Sequence, residues 1–252
     1  MLREAVEKAA GLLIEARRTG RLLDGLPADC RPTNAVEAMA IQEATVAGLG
    51  EPIGGWKTGP AQDGTVVRGA LLRSRIFESP ARVPATLAPL LGIEGEIAFH
   101  FHRDLPRRGT DYSEAEVADA VTAFAAIEIV DTRFRSFKDA PALERTADLV
   151  SNGAFVRGAL QPRWRSLDLP NLEVVLTIGG QEVVRRMGGH ATGGHPMAPA
   201  VLLVNELRKG GGVKAGMVMT TGTCTGMTYA KPGQTVTAQF AGLGSAEVTF
   251  SA

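Results

Sequence analysis

The spacing of apolar residues predicts two helices at the start of the chain. Within residues 1–18, apolar side chains recur every three or four positions and share one helical face, namely Leu2, Ala5, Val6, Ala9, Leu12, Leu13 and Ala16. A second helix is predicted over about 35–48. Asn34 and Glu37 have the spacing of a capping box at its start, and Gly50 follows its end.

The pattern changes after this second helix. Residues 50–65 are rich in Gly and Pro, which predicts a loop around one short strand containing Trp56 and Lys57. From about residue 92 the alternation has a period of two, which is typical of a half-buried strand. One face carries Ile93, Gly95, Ile97, Phe99 and Phe101, and the other carries Glu94, Glu96, Ala98, His100 and His102.

Further elements follow towards the C-terminus. Ser113 and Glu116 form another capping-box pattern, which predicts a helix extending to about Ala125. The next segments predict a strand over 125–134 and a hairpin over 172–187 that turns at two glycines. The run HPMAPAVLLVNELRKGG predicts a helix, and three short strands complete the chain. The balance is α+β: a helical region over 1–80 and a β-rich body over 81–252, together forming one compact unit.

Composition and charge exclude several classes of function. The chain has 252 residues, of which 44% are hydrophobic and 21% charged, as in a soluble globular protein. Lys plus Arg and Asp plus Glu each total 27, so no net charge favours nucleic acid or an anionic membrane. Cys30 and Cys224 form no CxxC pattern, and no dinucleotide-binding or P-loop motif is present. Without a signal-peptide or membrane-span pattern, we expect a cytoplasmic protein.

Three glutamates are the residues hardest to explain by packing alone. Glu94 and Glu96 point to the same side of one strand with roots ~6–7 Å apart, and Glu128 lies in an apolar strand-like run. Such acids repel one another unless a cation neutralises them, and carboxylates suit Mg²⁺ or Mn²⁺. A solvated strand face with unrelated acids is the alternative reading. His100 and His102 share this face, where solvent-facing or hydrogen-bonded roles are the more common ones.

Five motifs, in order, resemble one family. They are IEGEIAF, AAIEIVDTRF, TADLVSNGAFVRG, GGHP, and TTGTCTGMTYAKPGQTVTAQFAGLGSAEVTF. Together they resemble the 2-keto-4-pentenoate hydratase, 2-oxohept-3-enedioate hydratase and 4-oxalocrotonate decarboxylase family, within the fumarylacetoacetate hydrolase superfamily. The likeness runs from about residue 40 to the C-terminus. It implies a mixed, curved β-structure with flanking helices and a helical N-terminal region.

The resemblance also implies a metal site and a catalytic lysine. The family's three metal-binding glutamates map onto Glu94, Glu96 and Glu128, with Mg²⁺ or Mn²⁺ as the ion. The lysine of the family's active-site loop falls on Lys57, which would carry protons with a pKa lowered by burial and the metal. From the sequence alone, an exposed loop charge is the ordinary reading of this lysine.

Four more residues receive roles from the resemblance. The Gly222 amide and the Thr223 hydroxyl would contact the substrate carboxylate, although the composition alone favours a hairpin turn there. Asp148 would assist Lys57 in catalysis and Ser151 would lie on the substrate side, although both are also ordinary turn formers.

The implied activity is addition of water to a 2-hydroxy-2,4-dienoate, as in aromatic meta-cleavage catabolism. The product is a 4-hydroxy-2-oxo acid. Decarboxylation of an oxalocrotonate-type diacid uses the same metal-bound 2-oxo group and is the first alternative. Hydrolysis of a C–C bond is disfavoured, because no histidine precedes His100 to serve as the base on an N-terminal lid. A non-catalytic accessory subunit of a partner hydratase or decarboxylase is the last alternative. We also expect a homo-oligomer.

The chain departs from the family pattern near the expected substrate. The changes are at 58–62 (TGPAQ), at 149–152 (LVSN) and at His190, which replaces a small polar residue. Polar-to-apolar changes of this kind alter selectivity more than changes of size do, so the metal chemistry is a firmer prediction than any one substrate. If the substrate has a second carboxylate, the candidates to bind it are Arg73, Arg133 and Arg135, although a surface or ion-paired role is the more common one for each.

Overall fold

A computed structural model describes residues 1–58 and 66–252 of the chain. The α-helices in these ranges are α1 (Arg3–Thr19), α2 (Ala35–Leu49), α3 (Glu114–Ala118), α4 (Ala142–Ala147) and α5 (Met197–Leu207). The first strands are β1 (Ile53–Thr58), β2 (Arg68–Leu72), β3 (Ile76–Glu78), β4 (Ala81–Pro84), β5 (Gly92–Phe101), β6 (Val121–Val130) and β7 (Asn152–Gln161). The remaining strands are β8 (Glu173–Ile178), β9 (Gln181–Met187), β10 (Val218–Thr223), β11 (Thr228–Tyr229), β12 (Thr235–Phe240) and β13 (Gly244–Ser251).

The larger sheet brings distant parts of the chain together. Its strand order is β2-β1-β10-β5-β6-β7-β3, and β11 pairs with the beginning of β5. β5 and β6 pair antiparallel along their whole length, from Gly92 opposite Val130 to Phe101 opposite Val121. β1 runs parallel to β10, and β3 runs parallel to β7, so the sheet is mixed. This order places the strand that contains Lys57 two positions from β5.

The second sheet packs on one face of the first. Its order is β4-β13-β12-β8-β9, and its buried residues share one apolar core with those of β5 and β6, as Phe99 and Phe250 illustrate. The two sheets approach very closely at Gly158 on β7. A Cβ there would lie 2.4 Å from the carbonyl oxygen of Ser245. Only glycine allows this spacing between the sheets.

The N-terminal helices form a smaller core of their own. Leu13 of α1 and Ile41 of α2 are fully buried, and they cluster with Phe134 from the segment after β6. The Asn34 side chain accepts a hydrogen bond from the Glu37 amide at 3.0 Å, as predicted. The Glu37 carboxylate bonds to Thr33 instead of closing the box on Asn34.

The predicted extent of one helix was wrong. The helix expected to reach Ala125 ends at Ala118, and β6 already begins at Val121. Pairing along all of β5 favours the extended form for this β-branched and aromatic segment. On the glutamate face of β5, Glu96 and Ala98 are buried, Glu94 and His100 are partly buried, and His102 is exposed.

The expected division near residue 80 stays a prediction. Strands β1 to β3, which come before that point, pair within the same sheet as β5 and β6. None of the helices in the described ranges is both long and apolar enough to cross a membrane.

Candidate metal centre and active site

Strand pairing gathers the three glutamates. Glu94 on β5 lies directly opposite Glu128 on β6, and Glu96 lies opposite Thr223 on β10. One carboxylate oxygen from each of the three glutamates lies within 4.8 Å of the others. Glu128 is 0% exposed and Glu96 is 2% exposed. This arrangement contradicts the solvated-face reading and makes the three acids one cluster, in which Glu96 and Glu128 are buried and Glu94 is partly buried.

Polar neighbours fix the orientation of two of these carboxylates. Glu128 Oε1 accepts hydrogen bonds from Lys57 Nζ at 2.5 Å and from Asn152 Nδ2 at 3.0 Å. The other oxygen, Glu128 Oε2, is buried and has no hydrogen-bond partner in the described part of the chain. Thr220 donates a hydrogen bond to Glu96 from the adjacent strand. These contacts leave Glu128 Oε2 free for a ligand.

Burial and mutual repulsion raise the pKa values of the acids. Burial, then repulsion from Glu128, raises the pKa of Glu94 to about 7, although Lys57 opposes the shift. Burial and both neighbouring carboxylates raise the pKa of Glu96 well above its ordinary value. The ionised forms of these carboxylates are therefore not fully stabilised by the positive charge that surrounds them.

Burial and the neighbouring carboxylates act on Lys57 in opposite directions. Burial pulls the pKa of Lys57 down, but the carboxylates of Glu128, Glu94 and Glu96 together raise it above the ordinary value. The lowered pKa was predicted for the protein with a metal ion beside the lysine, so it stays a prediction. A cation on the same carboxylates would oppose this upward shift.

The residues fit a divalent cation. With all three acids ionised, the cluster carries three negative charges against the single positive charge of Lys57. Glu128 Oε2 has no hydrogen-bond partner within residues 1–58 and 66–252, and desolvated carboxylates of this kind are stable when they bind a metal. Oxygen-only ligands suit Mg²⁺ and related hard cations better than zinc.

A cavity of about 160 Å³ opens beside these acids, and we call it the glutamate cavity. Its walls include Lys57, Glu94, Val130, Phe137, Ser151 and Met227. The Ser151 hydroxyl is buried and has no hydrogen-bond partner within the described ranges. An unpaired buried hydroxyl is costly, which is typical of a group that awaits a polar ligand.

A left-handed turn forms one side of this cavity. Leu149, Val150 and Ser151 have φ angles of 54°, 53° and 57°, which are unfavourable for residues with a Cβ. The turn aims the carbonyl oxygen of Val150 at Lys57 Nζ, 3.1 Å away. Lys57 is thus held between Glu128 and a strained backbone carbonyl. The substituted segment 58–62 lies, from residue 59 onwards, outside the described residues.

Comparison with known proteins agrees with this fold. The fumarylacetoacetate (FAA) hydrolase C-terminal family model matches residues 64–251. The 2-keto-4-pentenoate hydratase of Paraburkholderia phymatum is 32% identical over 98% of this chain and 97% of that protein. The 2-hydroxyhexa-2,4-dienoate hydratase of Comamonas testosteroni is 30% identical over 99% of this chain and 98% of that protein. The chain belongs to the fumarylacetoacetate hydrolase family.

A solved structure shows the same architecture. The 4-oxalocrotonate decarboxylase from Pseudomonas putida, complexed with magnesium and adipate, superposes with a TM-score of 0.85. It is 24% identical and covers 99% of this chain and 98% of its own. Membership of the FAA hydrolase family and its mixed, helix-flanked β-fold, both predicted from the motifs, are confirmed. The roles of individual residues stay predictions.

Asp148 is buried in a set of ion pairs with arginines. It is 0% exposed, and both of its oxygens are engaged. Arg133 donates to it from its backbone amide at 3.0 Å and from Nε at 2.8 Å, and Arg17 of α1 donates from Nη2 at 2.9 Å. It is absent from the walls of the glutamate cavity. Its predicted catalytic role stays a prediction that this placement does not favour.

Gly222 and Thr223 lie at the end of β10, beside Glu96. Gly222 has φ 113°, a conformation that requires glycine. The Thr223 hydroxyl accepts a hydrogen bond from the Thr225 amide at 3.2 Å and stays partly exposed. His190, a departure from the family pattern, is buried between the hydroxyls of Thr192 and Thr221.

The arginines proposed to bind a second carboxylate are placed elsewhere. Arg133 is buried in ion pairs with Asp131 and Asp148, and exposed Arg135 pairs with Asp24. Neither these two nor Arg73 is among the residues that line the glutamate cavity.

Sequence reasoning missed three polar residues around the acids. Thr220 and Asn152 hold Glu96 and Glu128, and Arg145 of α4 lines the glutamate cavity. The position of Thr220 on a strand adjoining the glutamates was the one available signal. The positions of Asn152 and Arg145 depend on the fold of the chain after β6, which the sequence pattern does not indicate.

Proposed function

We propose that this protein is a divalent-cation-dependent hydratase of a 2-hydroxy-2,4-dienoate, yielding a 4-hydroxy-2-oxo acid. The observation that carries the proposal is the buried cluster of Glu94, Glu96 and Glu128 with Lys57 at its edge. Supporting it, two hydratases match the chain over nearly its full length at 32% and 30% identity. The metal is Mg²⁺ or Mn²⁺, because a site made of oxygen ligands favours these ions.

Each residue then has a physical task. A cation held by the three glutamates supplies positive charge that stabilises negative charge developing on the C2 oxygen of the substrate. Lys57 is fixed by Glu128 and the Val150 carbonyl, and it moves the proton that converts the dienol to its 2-oxo tautomer. Water then adds at C4 of the conjugated acid.

The substrate carboxylate needs donors beside this cluster. Ser151 offers a buried hydroxyl without a partner in the described chain. The Gly222 amide and the Thr223 hydroxyl lie beside Glu96 and are assigned to the same carboxylate, although neither residue lines the glutamate cavity. The Val130, Phe137 and Met227 walls suit the hydrocarbon part of the dienoate.

The test is turnover of 2-hydroxypenta-2,4-dienoate by metal-stripped protein, followed by the loss of dienoate absorbance as Mg²⁺ is added. We expect activity to depend on the ion. Lys57→Ala should lower kcat about 10²–10⁴-fold, the usual contribution of a general acid–base group. Glu96→Gln should abolish metal-dependent turnover, while the exposed-residue control Glu4→Gln should behave as wild type. Unchanged turnover in Glu96→Gln or Lys57→Ala would contradict the proposal.

Decarboxylation of an oxalocrotonate-type diacid is the second candidate, because the same cluster would stabilise the same enolate. Arg145 lies in the cavity wall and forms no salt bridge with the described residues, which favours a diacid. Release of CO₂ from 2-oxohex-3-enedioate, measured against hydration of the monoacid, separates the two reactions. The accessory-subunit reading predicts no turnover alone and altered activity of an added partner enzyme. The cytoplasmic location and the homo-oligomer stay predictions.

A further inference from the structure

One cation in the glutamate cavity has no anionic partner. Arg145 and Lys57 are the basic residues among its described walls. Lys57 is paired with Glu128 at 2.5 Å, whereas Arg145 forms no salt bridge within residues 1–58 and 66–252. The positive charge of Arg145 is thus available to a ligand.

The arginine is also held in place. Its guanidinium carbon lies 5.4 Å from the centre of the Phe137 ring, and Nη1 donates to the Phe137 carbonyl oxygen at 3.3 Å. Stacking and one backbone hydrogen bond restrict the side chain but leave most of its five N–H groups free. A planar guanidinium with free N–H groups is well suited to bind a carboxylate through two parallel hydrogen bonds.

The remaining wall residues indicate the chemistry of the segment that joins the two charged ends of a ligand. Glu94 marks the metal end of the cavity, and the apolar side chains of Val130, Phe137 and Met227 line the same space. A molecule that matches these walls has an anionic, metal-chelating head, a short hydrocarbon segment and a second anionic group.

We infer that Arg145 binds a second carboxylate, so that this enzyme acts on dicarboxylic 2-oxo or 2-hydroxydienoic acids in preference to monoacids. The inference rests on the proposed function for the identity of the reacting end. It replaces Arg73, Arg133 and Arg135, which do not line the cavity, with a residue that does.

The first test measures binding without chemistry. Calorimetry on Mg²⁺-loaded protein compares adipate with hexanoate, which have six carbons each and differ by one terminal carboxylate. We expect adipate to bind at least about tenfold more tightly, since hydrogen bonds between charged groups contribute about 10- to 100-fold in affinity. Equal affinity for the two acids in the wild-type protein would overturn the inference without any variant.

Variants at position 145 test whether Arg145 causes the preference for adipate over hexanoate. Arg145→Gln should reduce the adipate-to-hexanoate ratio about 10- to 100-fold, and Arg145→Lys should restore part of it. The control is Arg165→Gln, because Arg165 also lies over an aromatic ring, Trp164, at 5.6 Å, but is exposed and outside the cavity. It should leave the ratio unchanged. If Arg145→Gln is folded by circular dichroism and keeps the wild-type ratio, the inference is wrong.

Turnover separates this inference from the proposed function. If dienoates of both kinds are turned over, but Arg145→Gln lowers kcat/KM equally for diacid and monoacid, the inference fails and the hydratase proposal stands. If no dienoate reacts and adipate is still preferred in an Arg145-dependent way, the proposed function fails and the carboxylate site stands.

Discussion

Replacing Asp148 by Asn distinguishes a structural role from a catalytic one. Asp148 is fully buried and accepts hydrogen bonds from two arginines, Arg17 and Arg133, whose side chains are 7% and 6% exposed. Asparagine keeps one acceptor oxygen, turns an NH₂ group towards donors, and leaves the two arginines with only the charge of Asp131. Breaking a buried ion pair in this way costs about 3–5 kcal/mol. For a chain of this size, that corresponds to a fall in Tm of about 6–20 °C.

The assay is thermal unfolding followed by circular dichroism, with Asp139→Asn as the control because Asp139 is exposed. We expect a large fall in Tm for Asp148→Asn and a change within about 2 °C for the control, as is usual for surface substitutions. A catalytic Asp148 predicts the reverse pattern, with Tm near that of wild type and kcat reduced about 10²–10⁴-fold. A Tm within 2 °C of wild type would refute the structural reasoning.

Three further predictions follow from other parts of the molecule. Adding Mg²⁺ at about 100 times its Kd should stabilise the protein by about 2.7 kcal/mol, which would be measured as a rise in Tm. Glu96→Gln should abolish this rise, and no rise in the wild-type protein would contradict the metal site. Gly158→Ala should cost about 1–3 kcal/mol of unfolding free energy, because its Cβ would lie 2.4 Å from the Ser245 carbonyl oxygen. Gly109→Ala, with open space around it, is the control in the same unfolding assay. Burial raises the pKa of the Cys224 thiol to about 12, so at pH 8 only about one Cys224 side chain in 10⁴ is thiolate. Cys30, the other cysteine, is also buried, so a disulfide reagent should modify neither thiol in native protein and both in urea-unfolded protein.

The sequence predicted the glutamate cluster well because strand alternation is a local property. Two acids two residues apart must share a face, and a third within an apolar run must be buried somewhere. The pairing that sets Glu94 opposite Glu128 is not local, since it depends on the register of β5 and β6. The motif resemblance supplied that part, and the structure then placed the residues together.

The surroundings of the cluster could not be predicted in the same way. Arg145 reaches the site on α4, between β6 and β7, and Asn152 reaches it through the pairing of β7 with β6; no periodicity encodes either placement. The surroundings of Asp148 were unpredictable for the same reason. An acid in a turn-forming segment can be interpreted as a catalytic group in sequence, and its ion pair with Arg17 of α1 appears only in the structure.

These contacts explain why a helical N-terminus belongs to this site. Three consecutive left-handed residues, 149–151, cost of order 1–3 kcal/mol each and persist only if the surroundings enforce them. The Ser151 amide bonds to the Asp148 carbonyl, and the Asp148 carboxylate is anchored by Arg17 of α1 and by Arg133. This left-handed turn also directs the Val150 carbonyl oxygen towards Lys57 on β1. A continuous set of hydrogen bonds therefore runs from α1 to Lys57, so the first helix contributes to the geometry of the site although none of its residues touches the three glutamates.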